Sequence, residues 1–405
     1  MDVVHARCAG MDVHKRVVVV CAVVKRRRLN RSFGTTTAEL RELRDWLVSL
    51  NVTHAAMEST GSYWKPVFNL LEESGVEAIV VNAAHVKAVP GRKTDVNDAQ
   101  WLAELLRHGL LRASFIPDRE HRELRELVRY RRSMMHERTR EVLRIQKVLE
   151  GANIKLASVA SHVMGVSGRA MLEALAAGTE DPEELTALAR GRLRDKREAL
   201  LLALDGIMGA HQRFLLAEQL RHVDELEERI ERLSEEIGTR MHPFEAQLDA
   251  IDEIPGIGRT GAEEILAETG GDMSRFPSSR HIASWAKVSP GNNESAGKRR
   301  SGRTGRGNPW LRSTLVEAAV SCGRTKNTYL AAQYRRLAAR RGKKRAAMAV
   351  AHSILVIVYH MLRDGVPYAD LGHDYFDRRS KPALAARFKR RLEALGYTVT
   401  IQEAA

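Results

Sequence analysis

The sequence predicts an α/β domain followed by a long all-α region. Residues 1–112 alternate short β-branched runs with amphipathic patterns, which is typical of a mixed sheet with helices packed on it. From about residue 118 onward, apolar residues recur every three or four positions, as they do in long helices. The chain has 405 residues, which is enough for two or three domains.

The elements of the first region follow from its periodicity. The predicted strands are 17–24, its hairpin partner 29–36, 53–58 and 77–82, and the predicted helices are 38–50, 63–73 and 95–106. A hairpin followed by βαβ units predicts a mixed sheet. In such a sheet the strand C-termini and the adjacent loops host the functional site.

The helical region begins with one long predicted helix at 118–149. Its non-apolar faces carry the basic residues Arg122, Arg125, Arg129, Arg131, Arg132, Arg138, Arg140, Arg144 and Lys147. Interleaved glutamates could pair with these side chains on a solvated face, or the excess arginine could contact the backbone of DNA or RNA. Both interpretations are open at this point.

A second long helix carries heptad spacing over 216–237, with apolar residues at Leu216, Val223, Leu226, Ile230, Leu233 and Ile237. This pattern predicts a short coiled coil, formed either within the chain or between protomers. Residues 254–262 then read Ile-Pro-Gly-Ile-Gly-Arg-Thr-Gly-Ala, which predicts a helix-hairpin-helix. Gly256 and Gly258 would expose backbone N–H groups to a phosphate. The alternative is a simple linker between two helices.

Composition favours a polyanionic partner. Lys and Arg number 65 against 51 Asp and Glu, which gives a formal net charge of +14 and a pI near 9.9. Cys8, Cys21 and Cys322 form no paired spacing, which fits a reducing cytosol. The apolar stretch 346–362 is interrupted by polar residues, so we expect a buried helix rather than a membrane span. With no signal peptide, a soluble cytoplasmic protein is predicted.

Four carboxylates are the strongest functional signal. Asp12 lies in Gly-Met-Asp-Val-His-Lys and Glu58 ends an apolar run, and both are expected at strand ends. Asp95 and Asp98 lie three apart on one face of a predicted helix. A ribonuclease H-like nuclease spaces its acids in this way, and two Mg²⁺ ions could bind the four and clamp a phosphodiester. Individually, each acid could instead be a turn residue or a helix cap.

A polar segment follows the helix-hairpin-helix and is predicted to be a loop from 289 to 309. Its glycines allow close backbone approach, and its arginines are forked phosphate donors. Ser295 within it could act as a nucleophile toward a phosphodiester, although a loop serine is ordinarily just solvated.

Six ordered motifs between about residues 8 and 365 resemble the DEDD insertion-sequence transposases, the family numbered one hundred and ten. The motifs are Gly10-Met-Asp-Val-His-Lys, Glu58-Ser-Thr-Gly-Ser-Tyr-Trp, Asp95-Val-Asn-Asp-Ala, Pro255-Gly-Ile-Gly, Ser295-Ala-Gly-Lys and Gly307-Asn-Pro-Trp-Leu-Arg. Many members have Ser-Gly-Gly where this chain has Ser-Ala-Gly, which changes the freedom of the loop backbone but keeps the hydroxyl. Ser301 is the other serine of the segment, and the spacing from Pro290 favours Ser295.

The resemblance implies bridge-RNA-guided recombination of DNA by a RuvC-like domain, a coiled-coil region and a serine-bearing transposase domain. We expect these at 1–112, 113–250 and 251–370, followed by a tail at 371–405. The implied catalytic residues are Asp12, Glu58, Asp95, Asp98 and Ser295, and the four acids would bind Mg²⁺ or Mn²⁺. The expected nucleic-acid contacts are Gly256, Gly258, Lys298, Arg299, Arg303, Arg306 and Arg312.

The implied partners are the DNA of the element ends and of the target, a bridge RNA, and further copies of the chain in a homodimer or homotetramer. We expect no membrane association, and action in the bacterial cytoplasm at the nucleoid. A RuvC-like Holliday junction endonuclease that activates water is the main alternative, because it needs the quartet but no serine. A non-catalytic helix-hairpin-helix binder would need neither. An actin-like ATPase is disfavoured because no further Gly-rich phosphate loop follows the first strand.

Overall fold

The computed structural model describes residues 2–58, 61–82, 86, 98–290, 293–295, 298–301, 304–305 and 307–402, with backbone alone at 293–295 and 298–301. The chain divides into two compact units, Met1–Ile116 and Pro117–Ala405. Each unit has its own core and is described separately below.

The first unit is built on a five-stranded mixed sheet. Its strands are β1 (Arg7–Val13), β2 (Val17–Val24), β3 (Arg27–Gly34), β4 (His54–Glu58) and β5 (Glu77–Val81). They are ordered β3-β2-β1-β4-β5. The first three pair antiparallel, whereas β1, β4 and β5 are parallel. The predicted mixed sheet is confirmed.

The central strand of this sheet carries Asp12, which was expected at a strand end, but the strands given bounds above began at residue 17. The sequence Arg-Cys-Ala-Gly-Met-Asp-Val of β1 contains one β-branched residue and a mid-strand glycine, so its strand propensity is weak. Four consecutive residues of β1 are buried, because both faces of the sheet are covered. Burial on both faces removes the alternating pattern by which a strand is recognised.

Three helices cover the sheet in the described part of this unit: α1 (Thr37–Ser49), α2 (Trp64–Glu72) and α3 (Asp98–Arg107). On one face, Leu43 of α1 and Leu71 of α2 pack with Met11 and Met57 of the sheet. The opposite face packs against α3. Each of these helices was predicted with bounds that agree within about three residues, as is usual for pattern-based boundaries.

The second unit is mainly helical. Its helices are α4 (Arg119–Gly151), α5 (Leu156–Val159), α6 (Val166–Ala177), α7 (Pro182–Ala187), α8 (Arg197–Leu204), α9 (Ala210–Met241), α10 (Glu245–Asp252), α11 (Arg259–Thr269), α12 (Ser279–Trp285), α13 (Pro309–Cys322), α14 (Tyr329–Arg341), α15 (Lys343–Asp364), α16 (Tyr375–Arg379) and α17 (Lys381–Glu393). Short 3₁₀ turns occupy Gly191–Lys196, His242–Phe244 and Met273–Arg275.

The two long helices α4 and α9 pack against each other within the chain. On α9, Leu216, Val223, Leu226 and Ile237 are buried, and Ile145 and Leu149 of α4 share a core cluster with Leu216 and Val223. The heptad pattern therefore reports an intramolecular helix pair, one of the two arrangements that the sequence left open.

Helix α15 confirms the buried helix predicted near 346–362. It is long and apolar enough to span a membrane by length and composition, and half of its most apolar window is buried in the protein. Tyr359 illustrates its role, since its side chain is 1% exposed and its hydroxyl donates to the Phe276 carbonyl over 3.0 Å. The helix thus forms part of the core of the second unit.

Candidate active site

Asp12 and Glu58 lie on neighbouring parallel strands. Met11 of β1 aligns with Met57 of β4, and the two carboxylates occupy the next position on each strand. Because side chains alternate along a strand, Asp12 shares a face with Cys8 and Glu58 shares one with Ala56. Cys8 and Ala56 both pack in the cluster under α3. The two carboxylates therefore belong to the α3 face, at the C-terminal edge of the parallel strands. We call this edge, with Asp12 and Glu58, the carboxylate edge.

Asp98 approaches the same edge through α3, which runs antiparallel to β1. The last residue of α3, Arg107, accepts a hydrogen bond at its carbonyl from the backbone of Val4 over 2.9 Å, before β1 begins. Further along, the Cys8 thiol is 3.6 Å from the Ala103 carbonyl. Because α3 and β1 run in opposite directions, Asp98 at the start of α3 lies toward the end of β1 that carries Asp12.

Gly10 allows this approach. A Cβ atom at Gly10 would lie 2.2 Å from the Ala99 carbonyl oxygen and 2.3 Å from the Ala103 nitrogen. Both are backbone atoms that no side-chain rotation can move, so the helix axis can come this close only above a glycine. The sequence motif identified Gly10 as a neighbour of Asp12 but not as the contact point for α3. A glycine inside an apolar strand was the available signal.

Of the four carboxylates that are predicted to bind metal, only Asp12, Glu58 and Asp98 lie among the described residues. Asp95 lies outside them, and among those described no group of three or more metal-ligand side chains is close enough to hold an ion. Asp12 instead contacts His14, with 3.0 Å between Oδ2 and Nε2. Carboxylates repel one another without a cation, and carboxylate oxygens are the ligands that Mg²⁺ prefers. The predicted carboxylate ligands therefore have the chemistry that suits a divalent cation such as Mg²⁺.

The serine segment, predicted as a loop, contains two short strands, β6 (Asn293–Ser295) and β7 (Lys298–Ser301), paired antiparallel. The expectation of a loop was wrong because these strands are polar and only three or four residues long, so they carry no alternating apolar signal. Ser295 is paired with Lys298, and Ser301 is paired with Asn293 at the other end of the ribbon. Arg303 and Arg306, and the side chains of Ser295, Lys298 and Arg299, lie outside the described residues.

Asn308, which follows this segment in the chain and is the N-cap of α13, is fixed to the core. Its side-chain oxygen accepts from the backbone N–H groups of Trp310 and Leu311, at 3.1 and 3.2 Å. Its amide nitrogen donates to Glu268 over 2.6 Å. Arg312, expected to contact nucleic acid, donates to the Gly305 carbonyl over 3.0 Å. These contacts hold the chain where it leaves the serine hairpin.

Glu268 belongs to a set of buried ion pairs between α4 and α11. Arg129 binds Glu268 through Nε and Nη2, at 2.6 and 2.8 Å, and Arg125 Nε lies 3.0 Å from the same carboxylate. Arg131 Nη2 lies 2.7 Å from Glu263, and Arg132 pairs with Glu264 and Glu317.

These ion pairs show that four basic residues of α4 pair with glutamates rather than facing a nucleic-acid backbone. Arg125, Arg129, Arg131 and Arg132 bind glutamates inside the second unit, so they are not available to a nucleic-acid backbone. The carboxylate partners of these four come from α11 and α13. Arg140 and Arg144 pair instead with Glu137 and Glu141 of α4 itself, as expected for a solvated face with interleaved glutamates. Arg138 pairs with Glu227 of α9. The available sequence signal was the placement of Glu263, Glu264 and Glu268 on the helix that follows the Gly-x-Gly turn.

The Gly-x-Gly turn joins α10 to α11. Gly256 has a positive φ of 91°, and a Cβ there would lie 2.5 Å from the Ala318 carbonyl oxygen of α13. Gly258, the N-cap of α11, faces open space, since nothing lies within 4 Å of a Cβ built there. The neighbouring Arg259 is neutralised by Glu245 through two hydrogen bonds of 2.6 and 2.7 Å. The two glycines therefore differ, because one packs against a helix and the other is accessible.

None of the three cysteines has the properties of a nucleophile. Cys8, Cys21 and Cys322 are buried free thiols. Burial raises the pKa of Cys8 to about 12, and it also raises the pKa of Cys21 and of Cys322. Because the thiolate is the reactive form, these side chains are inert near neutral pH.

Two family models match the chain, and they fall on the regions just described. The DEDD transposase model of IS110 matches residues 9–154, which include the carboxylate edge. The model of the IS116/IS110/IS902 transposases matches residues 248–335, which include the Gly-x-Gly turn and the serine hairpin.

Two proteins of Sinorhizobium fredii are similar to the chain. The candidate transposase y4pF/y4sB is 26% identical over 375 residues, which cover 89% of this chain and 84% of that protein. The candidate transposase y4qE is 42% identical over 69 residues, which cover 16% of this chain and 18% of that protein. With both family models matched in order, the chain belongs to the IS116/IS110/IS902 family of insertion-sequence transposases and is a DNA transposase.

Proposed function

We propose that this transposase cleaves and rejoins DNA strands through a covalent link between Ser295 and a DNA phosphate, with help from a metal bound at the carboxylate edge. The proposal is supported by the position of Asp12 and Glu58 on neighbouring strands, on the face that packs against α3, and by the start of α3 at Asp98. Neighbouring carboxylates repel one another, and a bound divalent cation would offset that repulsion.

Mg²⁺ or Mn²⁺ held by Asp12, Glu58, Asp95 and Asp98 would supply positive charge beside the scissile phosphate. Asp12 must turn from His14 to a cation for this to happen. Carboxylates on a sheet and on a helix packed against it are well suited to binding a metal ion, because rigid elements position ligands more precisely than loops do.

The chemical step assigned to Ser295 balances without any further reactant. The bond from Oγ to phosphorus forms as the bond from phosphorus to the leaving deoxyribose oxygen breaks. The serine loses one proton and the leaving oxygen gains one. Attack by a deoxyribose hydroxyl of another strand reverses the step and frees the serine, so the phosphodiester energy is conserved through strand exchange.

Three groups near Ser295 are proposed to stabilise the negative charge that develops on phosphorus: Lys298, Arg303 and Arg306. Register supports Lys298, which is paired with Ser295 across the ribbon. Arg299 is proposed to contact DNA beside them. At the turn between α10 and α11, Gly258 is the residue with room for a phosphate, and Gly256 is assigned to the turn itself.

Guidance by a bridge RNA and assembly into a homodimer or homotetramer complete the proposal. A structured RNA encoded beside the gene, with loops complementary to both element ends and to the target, would support guidance. Recombination that proceeds equally well without RNA would count against it. The pairing of α9 with α4 uses the seam first considered for assembly, so an oligomer would have to form through another surface.

The metal assignment is tested by an Asp98→Asn variant in a strand-cleavage assay. The substitution keeps size and removes the charge, so we expect cleavage to be lost while DNA affinity stays within a few-fold of wild type. EDTA should have the same effect on wild type, and added Mg²⁺ should reverse it. Cleavage at the wild-type rate by the variant, or in excess EDTA, would exclude metal-assisted chemistry at this edge.

The principal alternative is a Holliday junction endonuclease that uses the carboxylate edge to activate water. It shares the metal dependence, so the Asp98 variant does not distinguish the two. It needs no serine, and the fate of Ser295 therefore decides between them.

A further inference from the structure

The longest one-sided charge run of the chain lies away from every residue assigned above. Between Glu317 and Asp364 there is no acidic residue, whereas the same stretch contains ten basic ones. They are Arg324, Lys326, Arg335, Arg336, Arg340, Arg341, Lys343, Lys344, Arg345 and Arg363. A run of this kind is ordinarily balanced by acids on the same or neighbouring helices, as it is on α4.

Five of these residues form a compact group at the junction of α14 and α15, which we call the basic corner. It consists of Arg340, Arg341, Lys343, Lys344 and Arg345, and all five are exposed. Only Gly342 separates the two helices, and its φ of +83° produces the sharp change of direction.

The basic corner has no partner within the described part of the chain. No hydrogen bond or ion pair joins any of its five side chains to another described residue, in contrast to the arginines of α4, whose carboxylate partners are buried with them. Each cation therefore repels its neighbours without compensation. Such a cluster is unfavourable in the free protein and becomes favourable when a polyanion covers it.

Three cations of the basic corner lie at the start of α15, where positive charge is least favourable. Lys343, Lys344 and Arg345 occupy its first turn, which contains no acidic residue and receives no hydrogen bond from a capping side chain. The N-terminal turn of a helix carries partial positive charge, so cations there are disfavoured and acidic residues are preferred. The first turn of α15 therefore carries three cations at a position where the helix dipole favours a negative charge.

We infer that the basic corner binds the sugar-phosphate backbone of a nucleic acid without reading its sequence. Phosphodiesters recur at regular spacing and match a tight group of exposed cations, and flexible lysines and arginines suit backbone contact. The chain is a DNA transposase, and four arginines of α4 that could have made such contacts are used internally. The inference does not depend on Ser295 or on the carboxylate edge.

The test compares two full-length variants that remove the same charge. In one, Lys343, Lys344 and Arg345 are changed to Gln. In the control, Arg221, Arg229 and Arg232 of α9, which are also exposed, are changed to Gln. Affinity for a short DNA duplex of unrelated sequence, and for an RNA hairpin of similar length, is measured over a range of salt concentrations. Thermal unfolding checks that both variants fold.

The corner variant should lose about tenfold or more in affinity, and its slope of log K against log salt should shrink by roughly 2 to 3, because each lost phosphate contact removes about 0.9. The control should change by less than a few-fold, with an unaltered slope. Loss confined to the duplex identifies DNA as the occupant, and loss confined to the hairpin identifies RNA. Equal losses in both variants, or none on either nucleic acid, would overturn the inference.

Discussion

Gly10 determines how closely the helix that carries Asp98 approaches the sheet. A methyl group at this position would overlap the backbone of Ala99 and Ala103, so either α3 or β1 has to move. Overpacking of this kind ordinarily costs about 1–3 kcal/mol of stability. The more specific consequence is displacement of Asp98 relative to Asp12 and Glu58.

We therefore expect Gly10→Ala to lower the melting temperature and to reduce metal-dependent cleavage more than its stability loss explains. Gly238→Ala is the matched control, since Gly238 lies within α9 and nothing is within 4 Å of a Cβ there. The control should be neutral or stabilising by about 0.5–1 kcal/mol, because alanine favours the helix. If Gly10→Ala melted and cleaved like wild type, the close approach of α3 to β1 would be contradicted.

Glu268 is the second residue on which a large effect depends. Its side chain is 2% exposed and binds Arg125, Arg129 and Asn308. Glu268→Ala removes the carboxylate that neutralises the largely buried Arg125 and the partly buried Arg129, and we expect a loss of about 3–5 kcal/mol in the free energy of unfolding. The measurement is denaturant-induced unfolding.

Glu236→Ala provides the comparison for Glu268, because Glu236 makes a 2.6 Å pair with Arg240 in which both side chains are nearly half exposed. Surface pairs contribute about 0–1 kcal/mol, so this variant should unfold close to wild type. Similar losses in the two variants would show that burial of the Glu268 network contributes nothing.

At the scale of the elements, the start of α4 combines a cap with a titrating group. Asp118 accepts from the His121 backbone N–H over 2.9 Å and from its ring over 2.9 Å. Burial raises the pKa of Asp118, but these hydrogen bonds outweigh burial, so the pKa lies below its ordinary value. A depressed pKa means that the ionised carboxylate stabilises the native state above the pKa of the unfolded chain. This stability is lost as pH falls through the native pKa.

We expect Asp118→Ala to cost about 1 kcal/mol at neutral pH, as loss of an N-cap ordinarily does. The difference from wild type should stay constant down to about pH 5 and shrink below about pH 4, where the unfolded carboxylate becomes protonated. Chemical denaturation over this pH range measures it. A difference that grows as pH falls would have the wrong sign for a stabilising carboxylate.

The elements also show how far sequence patterns extend. Amphipathic helices such as α1 and α4 were predicted from one face of uniform polarity, and strand β2 was predicted from its run of β-branched residues. Strand β1 received no bounds because it has one β-branched residue and a mid-strand glycine. Strands β6 and β7 were missed because they are short and polar. For α9 the pattern showed an apolar seam but not its partner, since periodicity contains no information about which surface covers it.

For the site, the sequence identified the residue types but not the contacts that place them. Asp12, Glu58 and Asp98 follow from motif order. The structure puts Asp12 and Glu58 on neighbouring strands and Asp98 at the start of α3, and their assembly into a metal site stays a prediction. The role of Gly10 depends on a contact with α3 roughly ninety residues away along the chain, where local patterns give no signal. The same is true of Asn308 and Glu268, whose contact joins α11 to the base of the serine hairpin.

At the scale of the whole molecule, the net charge of +14 is unevenly distributed. Arginines of α4 are neutralised by buried glutamates, whereas the basic corner between α14 and α15 has no described partner. Net charge therefore indicates affinity for nucleic acid, but only the pairing pattern shows which cations are available to provide it.

The central claim is that the transposase joins itself to DNA through Ser295, and the most direct measurement is the detection of that bond. Protein, guide RNA and end-labelled DNA are incubated with Mg²⁺ and then denatured. We predict a labelled protein band that is lost in Ser295→Ala and retained in Ser301→Ala, its matched control at the far end of the same ribbon. If Ser295→Ala still cleaves and recombines DNA, the nucleophile is not this serine, and water activated at the carboxylate edge becomes the better account.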